Sequence, residues 1–461
     1  MAIVKPFQAL RYNLAKAGAA ADVVCPPYDV IDAAMQEGLY ERNPYNIVRV
    51  EFGKTAPDDA PGRDRYSRAA DFFKDWIEKQ ILVQDGRAAL YLYEQTFDIA
   101  YGGASHSKVV TRRGIFGAVK LEPFGTGCVY PHEETFGAPK ADRLNLMRAC
   151  AANLSPVFGL FPDEDASVSA LLAKGVTLSA PAVELTESSG VINKLWAIDD
   201  EKWCAQMSAA LAPKNCFIAD GHHRYETSCN YRDERRAQDA DPSGARDLPY
   251  NYTLMMCVPM SDPGLYILPT HRLIQKAPGV SKESFLRDAL AYFDLRDASE
   301  AQLLALAEEE SGPVRIGVVF ADGEKKIMSV PPASCRQESG RRDAGGTESA
   351  AAAAMKAAQP NKSDAWRGLD VSVLQELVLK NVLKLSEEQV LRKEGVSYTP
   401  DTRQALARVT LPDSAYGMGF ILRPTLIGQV RDVATGGEKM PQKSTYFYPK
   451  LLTGMVIRSI K

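Results

Sequence analysis

The chain has 461 residues, 45% of them hydrophobic and 25% charged, with a net charge of −3. That length exceeds one ordinary core and predicts two or three domains, while the charge argues against a bulk nucleic-acid binder. No apolar run approaches the ~20 residues that span a bilayer, so no membrane partner is expected. The opening Met1-Ala2-Ile3-Val4-Lys5-Pro6-Phe7 has no apolar core of a secretory signal. The eight cysteines (25, 128, 150, 204, 216, 229, 257 and 335) form no Cys-x-x-Cys pair, and most lie in apolar contexts. They predict reduced core residues of a cytoplasmic protein, not a disulfide framework or a zinc site.

The first 60 residues are dense in turn signals, among them Cys25-Pro26-Pro27-Tyr28-Asp29 and Asn43-Pro44-Tyr45-Asn46. Apolar periodicity predicts a helix over 65–79, with Ala69, Phe72, Phe73, Trp76 and Ile77 on one face. Strands are expected over 89–97 and 113–121, followed by a loop carrying Tyr130-Pro131-His132-Glu133-Glu134-Thr135. A helix over 140–152 and a buried strand over 156–161 come next. Residues 199–239 contain a strand–turn–helix unit. Its strand, Cys216-Phe217-Ile218-Ala219, runs into Asp220-Gly221-His222-His223-Arg224-Tyr225-Glu226. Strands over 253–258 and 265–268 lead to Pro269-Thr270-His271-Arg272, and another is expected over 315–320. Residues 339–360, with paired arginines, glycines and an alanine run, read as a linker or insertion, or the alanines as a helix. An amphipathic helix over 369–377 follows, then a segment over 420–425, a helix to 433, and the string Met440-Pro441-Gln442-Lys443-Ser444-Thr445-Tyr446-Phe447-Tyr448-Pro449-Lys450. The organisation expected is an N-terminal α/β region (1–125), a core carrying the two histidine motifs (126–335), a low-complexity linker or insertion (336–365), and a C-terminal α/β region (366–461) that returns to the site.

The glycine turn is the most informative string. A helix N-terminus leaves N–H groups unpaired and carries the positive end of the helix dipole, so phosphate binds there. Arg224 adds a permanent, fork-shaped cation. Asp220 opposes a bare phosphate but suits Mg²⁺ bridging phosphates. The structural alternative is an Asp N-cap with two surface histidines. A weaker alternative is a metal site, since His222 and Glu226 are four apart on one helix face. A loop carboxylate beside a phosphate site can accept or orient the proton of an attacking hydroxyl, which makes Glu133 a candidate, although a solvated acidic loop also explains it. Lys443, Ser444 and Thr445 offer one cation and two hydroxyls. For Lys140, Asp142 and Arg143 the alternative is pairing on a helix surface, and for Tyr28-Asp29 it is a simple turn.

Taken in order, these strings resemble the DUF1015 family over nearly the whole chain. They run from Pro6-Phe7 and Pro26-Pro27-Tyr28-Asp29-Val30-Ile31 through Asp142-Arg143-Leu144 to Met440-Pro441-Gln442-Lys443-Ser444-Thr445. The Asp-Gly-His-His-Arg string is also similar to the nucleotide-binding loop of the ParB/sulfiredoxin superfamily, and within it to the archaeal free-serine kinases. Those kinases carry a Pro-His-Glu loop upstream and Pro-x-Thr followed by Pro-Lys-Thr-Thr downstream. Here Pro131-His132-Glu133, Asp220 to Arg224, and Pro424-Thr425 with Lys443-Ser444-Thr445 stand in that order.

The resemblance implies an α/β fold with a ParB/sulfiredoxin-like nucleotide-binding core. It implies ADP or ATP as donor, with Mg²⁺ at Asp220 through the phosphates. Glu133, Asp220 and His223 are then the catalytic candidates. Gly221, His222 and Arg224 are the phosphate-binding candidates, and Lys443, Ser444 and Thr445 the substrate-binding ones. His132, Arg143, His271 and Arg272 are candidate neighbours. Two departures bear on the substrate. The kinase segment continues Arg-His where this chain has Tyr446-Phe447, removing a cation, and the spacing from Glu133 to Asp220 is longer. The function expected is phosphoryl transfer from a nucleotide to a small hydroxyl metabolite, free L-serine being one acceptor. The alternatives are a ParB-like nucleotide-binding switch and a nucleotide hydrolase.

Overall fold

A computed structural model of the chain describes residues 2–102, 107–135, 137–277, 280–331, 349–392 and 394–461. Strands Leu90–Asp98 and Val109–Lys120 pair antiparallel from Asp98 opposite Val109 to Tyr91 opposite Phe116. The second strand starts earlier than its charged stretch suggests, because Arg112 turns inward and is fully buried. These strands form the middle of a nine-stranded mixed sheet. Its far end runs Tyr252–Pro259, Val157–Phe161, Cys216–Asp220, Val129–Tyr130. Cys216–Asp220 and Val129–Tyr130 are parallel, with Phe217 opposite Tyr130, so the glycine turn and the Pro-His-Glu loop leave the sheet at the same edge. Ligands of open α/β sheets bind beyond the carboxyl ends of strands, and this pairing builds such an edge.

Helices Arg65–Glu78 and His222–Gln238 form close to where they were expected. Gly137–Cys150 starts earlier than the expected 140–152, and ends earlier because Ala152–Asn153 is a strand; it packs against His222–Gln238. A helix hidden among the turn signals, Ala33–Arg42, is capped by Asp32, whose side chain accepts from the Met35 N–H at 2.8 Å. A second sheet of six antiparallel strands contains His271–Gln275 between Val396–Thr399 and Tyr416–Ile421. Against it packs the segment expected as an amphipathic helix. It begins as Asp370–Val373 and continues, more widely wound, as Leu374–Val382. The Leu383 N–H reaches the Val378 carbonyl five residues back, at 2.8 Å. It is buried on several sides because it also meets Lys282–Ala289 and Ala350–Ala358. The alanine run is therefore helical, capped by Ser349, while residues 332–348 lie outside those described.

After residue 440 the chain crosses back to the first sheet. The Met440 N–H donates to the His132 carbonyl at 2.8 Å, Tyr446–Tyr448 pairs with Tyr266–Leu268, and Thr453 and Cys25 exchange backbone bonds. Phe447, Leu451, Leu452, Met455, Val456 and Ile457 join the N-terminal core. At roughly 1.5–3 kcal/mol for each buried large apolar side chain, this docking has a substantial gross driving force. Its polar backbone needs donors inside the protein. Arg112 donates to the Tyr448 carbonyl at 3.1 Å, to the Pro449 carbonyl at 2.6 Å and to the Gln95 side chain. Arg458, within the returning segment, grips the Pro249 and Tyr252 carbonyls at 2.7 and 3.0 Å. Among the described residues, no helix is long and apolar enough to cross a membrane.

Replacing Arg112 with Met removes the donors of two buried carbonyls and one amide. Denaturant unfolding should show a loss of about 2–5 kcal/mol, and Arg112→Lys should recover little, because a single ammonium cannot reproduce the fork.

Candidate functional site

The strand Cys216–Asp220 ends at Gly221, whose φ of +91° places it in the left-handed region. A Cβ there would also meet the Arg224 guanidinium at 2.9–3.0 Å, so glycine is required both by conformation and by space. The helix His222–Gln238 then begins with no side-chain cap. Asp220 does not act as its N-cap. Its Oδ1 bends back to the Gly221 N–H at 2.9 Å, and its Oδ2 faces Lys450 Nζ at 3.3 Å and Arg224 at 3.4 Å. Burial alone would raise this carboxyl, but Lys450, then Arg224, hold it well below the usual carboxylate range. Arg224 is 7% exposed and also donates to the Pro156 carbonyl, so it lies behind the turn as well as beside Asp220.

The Pro-His-Glu loop is tied to this turn by histidines. His132 Nδ1 donates to the Ile218 carbonyl at 2.7 Å, which leaves Nε2 to accept from the Thr445 hydroxyl at 3.1 Å. The His132 backbone N–H donates to His222 Nε2 at 3.2 Å, so His222 carries its proton on Nδ1. Burial pushes His132 down to about 4 and His222 well below its ordinary value, and both rings are neutral at pH 7. With His222 turned to His132, and Glu226 accepting from Lys140 at 2.8 Å and Thr135 at 2.6 Å, these two helix residues are engaged separately. His223 is half-buried and lowered by burial, while the nearby Glu133, Glu226 and Asp29 oppose that shift.

Glu133 bridges to Met440, and its Oε1 accepts from the Lys443 N–H at 3.3 Å. Burial raises its carboxyl against the pull of Lys443, and the charge on Asp220 raises it further. Lys443 adopts a positive φ of 55°. Ser444 is buried, with its hydroxyl on the Pro441 carbonyl, while Thr425 donates to the Ser444 carbonyl at 2.7 Å. Arg272, also buried, donates to the Gln442 and Lys443 carbonyls at 3.2 and 3.0 Å, so it holds the string from below. The bonds of His271 go elsewhere: it donates to Thr402 at 2.9 Å and accepts from the Leu422 N–H at 3.2 Å inside the second sheet.

Arg143 is not a surface helix residue. It is 6% exposed, bonded to the Glu51 side chain at 3.1 Å, and stacked on the Tyr28 ring at 4.1 Å. Glu51 lies within reach of both Arg143 and Arg224, and burial raises its carboxyl against these two cations. The Tyr28 turn therefore supports the back of the glycine turn. Sequence reasoning gave no role to Glu51 or Lys450. Glu51 sits in a short apolar stretch with no motif around it. Lys450 follows Tyr448-Pro449 in a string already singled out, and its ammonium lies over the Tyr446 ring at 4.4 Å.

At the sheet edge, Lys443, Lys450 and Arg224 face the carboxylates of Asp220 and Glu133 beside an uncapped helix start. This arrangement accepts anions and offers a carboxylate of raised basicity. Among the described residues, no three His, Cys, Asp or Glu side chains converge as a metal cage. Asp220 by itself offers a carboxylate of the kind that suits a Mg²⁺ bridging phosphates.

No curated protein matches the chain. Several solved structures are similar, all at low scores, and three of them are as follows. A conserved hypothetical protein from Pyrococcus furiosus is 12% identical, with a TM-score of 0.33, covering 70% of this chain and 89% of that one. A free serine kinase in complex with AMP is 12% identical, with a TM-score of 0.34, covering 74% and 98%. SbnI with a C-terminal truncation, from Staphylococcus aureus, is 10% identical, with a TM-score of 0.32, covering 73% and 85%. The sequence profile described as "Protein of unknown function (DUF1015)" matches residues 4–372, a span that holds the Tyr28 turn, the Pro-His-Glu loop, Arg143, the glycine turn and Arg272. On that match the chain belongs to the DUF1015 family.

Proposed function

We propose that the protein is a nucleotide-dependent phosphotransferase acting on a small hydroxyl metabolite, with free L-serine as the first acceptor to test. The observation that carries this reading is the assembly of three distant strings at one sheet edge. Glu133, Asp220 and Lys443 are brought together there by bonds among His132, His222, Met440 and Thr445. The phosphates of ADP or ATP lie on Gly221, His222 and the start of the helix, with Arg224 and Lys450 neutralising charge. Glu133 accepts the proton of the acceptor hydroxyl as its oxygen bonds to the terminal phosphorus, and the bond from that phosphorus to the departing nucleotide breaks. Lys443 faces the charge that develops, and His223 lies beside Glu133 as a second proton-carrying group. Ser444 and Thr445 shape the acceptor side. Asp220 would hold Mg²⁺ through the phosphates, and the ion would supply charge neutralisation there.

A nucleotide-binding switch is the second reading. It is favoured by the pairing of Asp220 with Lys450 and Arg224, which a metal would have to exchange. Stable binding of ADP or ATP with no phosphate released, and none transferred to any hydroxyl acceptor, would select it.

Glu133→Gln should lower the transfer rate by about 10²–10⁴-fold while nucleotide affinity stays close to that of the parent. Single-turnover transfer alongside calorimetric binding separates the two quantities, and an unchanged rate would remove Glu133 from catalysis. The pH profile gives a second check. A base must be ionised, so activity should fall as pH drops through the raised value of Glu133. The acid limb of kcat/KM is then displaced upward from that of an ordinary glutamate and disappears in Glu133→Gln.

A further inference from the structure

A cavity of about 590 Å³ shares Lys450 with the glycine turn. Three distant parts of the chain build it. The N-terminal region gives Val24, Cys25 and Leu39; the hairpin between Val183–Thr186 and Ile192–Ile198 gives Leu185, Glu187 and Val191; and the returning segment gives Tyr446, Tyr448 and Leu452. Its volume falls among pockets that take drug-sized ligands, of about 300–1,000 Å³, and far exceeds what a free amino acid fills. The floor is apolar and buried, while the rim at Met35, Arg42, Ser188 and Ser189 is exposed.

The position of the cavity relates it to one side of the site. Lys450 lines it, lies over the Tyr446 ring at 4.4 Å, and directs its ammonium to Asp220 at 3.3 Å. Glu133, His223 and Lys443 do not line it. The cavity thus adjoins the phosphate side of the site and not the side that holds the base. Flat aromatic and apolar walls suit a stacked base, and a half-buried carboxylate suits hydroxyls. Glu187 is such a group, fixed through its Oε1, which accepts from Asn193 at 2.8 Å.

We infer that this cavity holds the nucleoside portion of the nucleotide, with the base against Tyr446, Tyr448 and the apolar floor, the ribose hydroxyls toward Glu187, and the phosphates passing Lys450 to the glycine turn. The inference rests on the nucleotide-dependent reading above. It leaves the Glu133 and Lys443 side for the acceptor.

The test is calorimetric titration of the full chain with ADP and, separately, with inorganic pyrophosphate. The parent is compared with Met35→Trp and Ser188→Trp, two exposed rim positions on different walls, with unchanged melting temperatures confirming the fold. Expected is a loss of about tenfold or more in ADP affinity in at least one variant, the scale of one base-stacking contact, with pyrophosphate affinity unchanged. If the parent binds ADP and both variants bind it equally well, the cavity is not the nucleoside site and the nucleotide reading survives. If ADP binds the parent no better than pyrophosphate, the nucleoside finds no pocket and the inference falls. If neither binds, the inference and the nucleotide reading fall together.

Discussion

The structure depends on buried guanidinium groups holding backbone carbonyls of a segment that returns from far along the chain. Arg112 holds Tyr448 and Pro449, Arg272 holds Gln442 and Lys443, and Arg458 anchors the segment to Pro249 and Tyr252. Burial lowers all three to about 10, still far above neutral pH, so each stays charged inside the protein. Burying three charges is costly, and apolar packing of Phe447 through Ile457 offsets it. The exchange yields position: a carbonyl has few ways to satisfy a fork of donors, so residues 442–443 are fixed to Arg272 of the second sheet and 448–449 to Arg112 of the first. Lys443, Thr445 and Lys450 inherit that placement.

The same edge separates the behaviour of two carboxylates. Asp220 stands among cations and remains ionised far into acid, whereas Glu133, more weakly compensated and near the charge of Asp220, is pushed upward. Two neighbouring acids driven in opposite directions is the condition under which one serves as a fixed charge and the other as a proton acceptor. The buried histidines contribute differently. His132 and His222 are neutral connectors whose tautomers are set by the Ile218 carbonyl and the His132 N–H. His271 does the same in the second sheet, so histidine density in this sequence marks structural joints as much as chemistry.

Much of this was legible in the residues. The strand–glycine–helix unit, the strand over 156–161 and the helix over 65–79 follow from local pattern, because one face of each is buried and the turn needs glycine. Glu133, Asp220 and Lys443 were legible as polar strings with little reason to exist apart. What stayed hidden depends on contacts between distant segments. Arg143 looks like a surface partner of Asp142 until Glu51 and Tyr28 are placed over it. Lys450 looks like a solvated residue until Asp220 arrives, and Leu374–Val382 reads as half-exposed until helices from both sides cover it. Periodicity records which face is apolar, not how many partners will cover the other.

The distance in sequence between the glycine turn and its completing lysines has a consequence for synthesis. A ribosome makes Glu133 and Asp220 long before Lys443 and Lys450, and the first sheet can form while later residues are still being added. During that interval Asp220 has neither its Lys450 partner nor a closed wall beside it, and Glu133 lacks the Lys443 N–H that positions it. A nascent or prematurely stopped chain can thus own both carboxylates without the contacts that place them. The arrangement of charges at this edge is completed only when the returning segment has docked, which ties its geometry to completion of the fold.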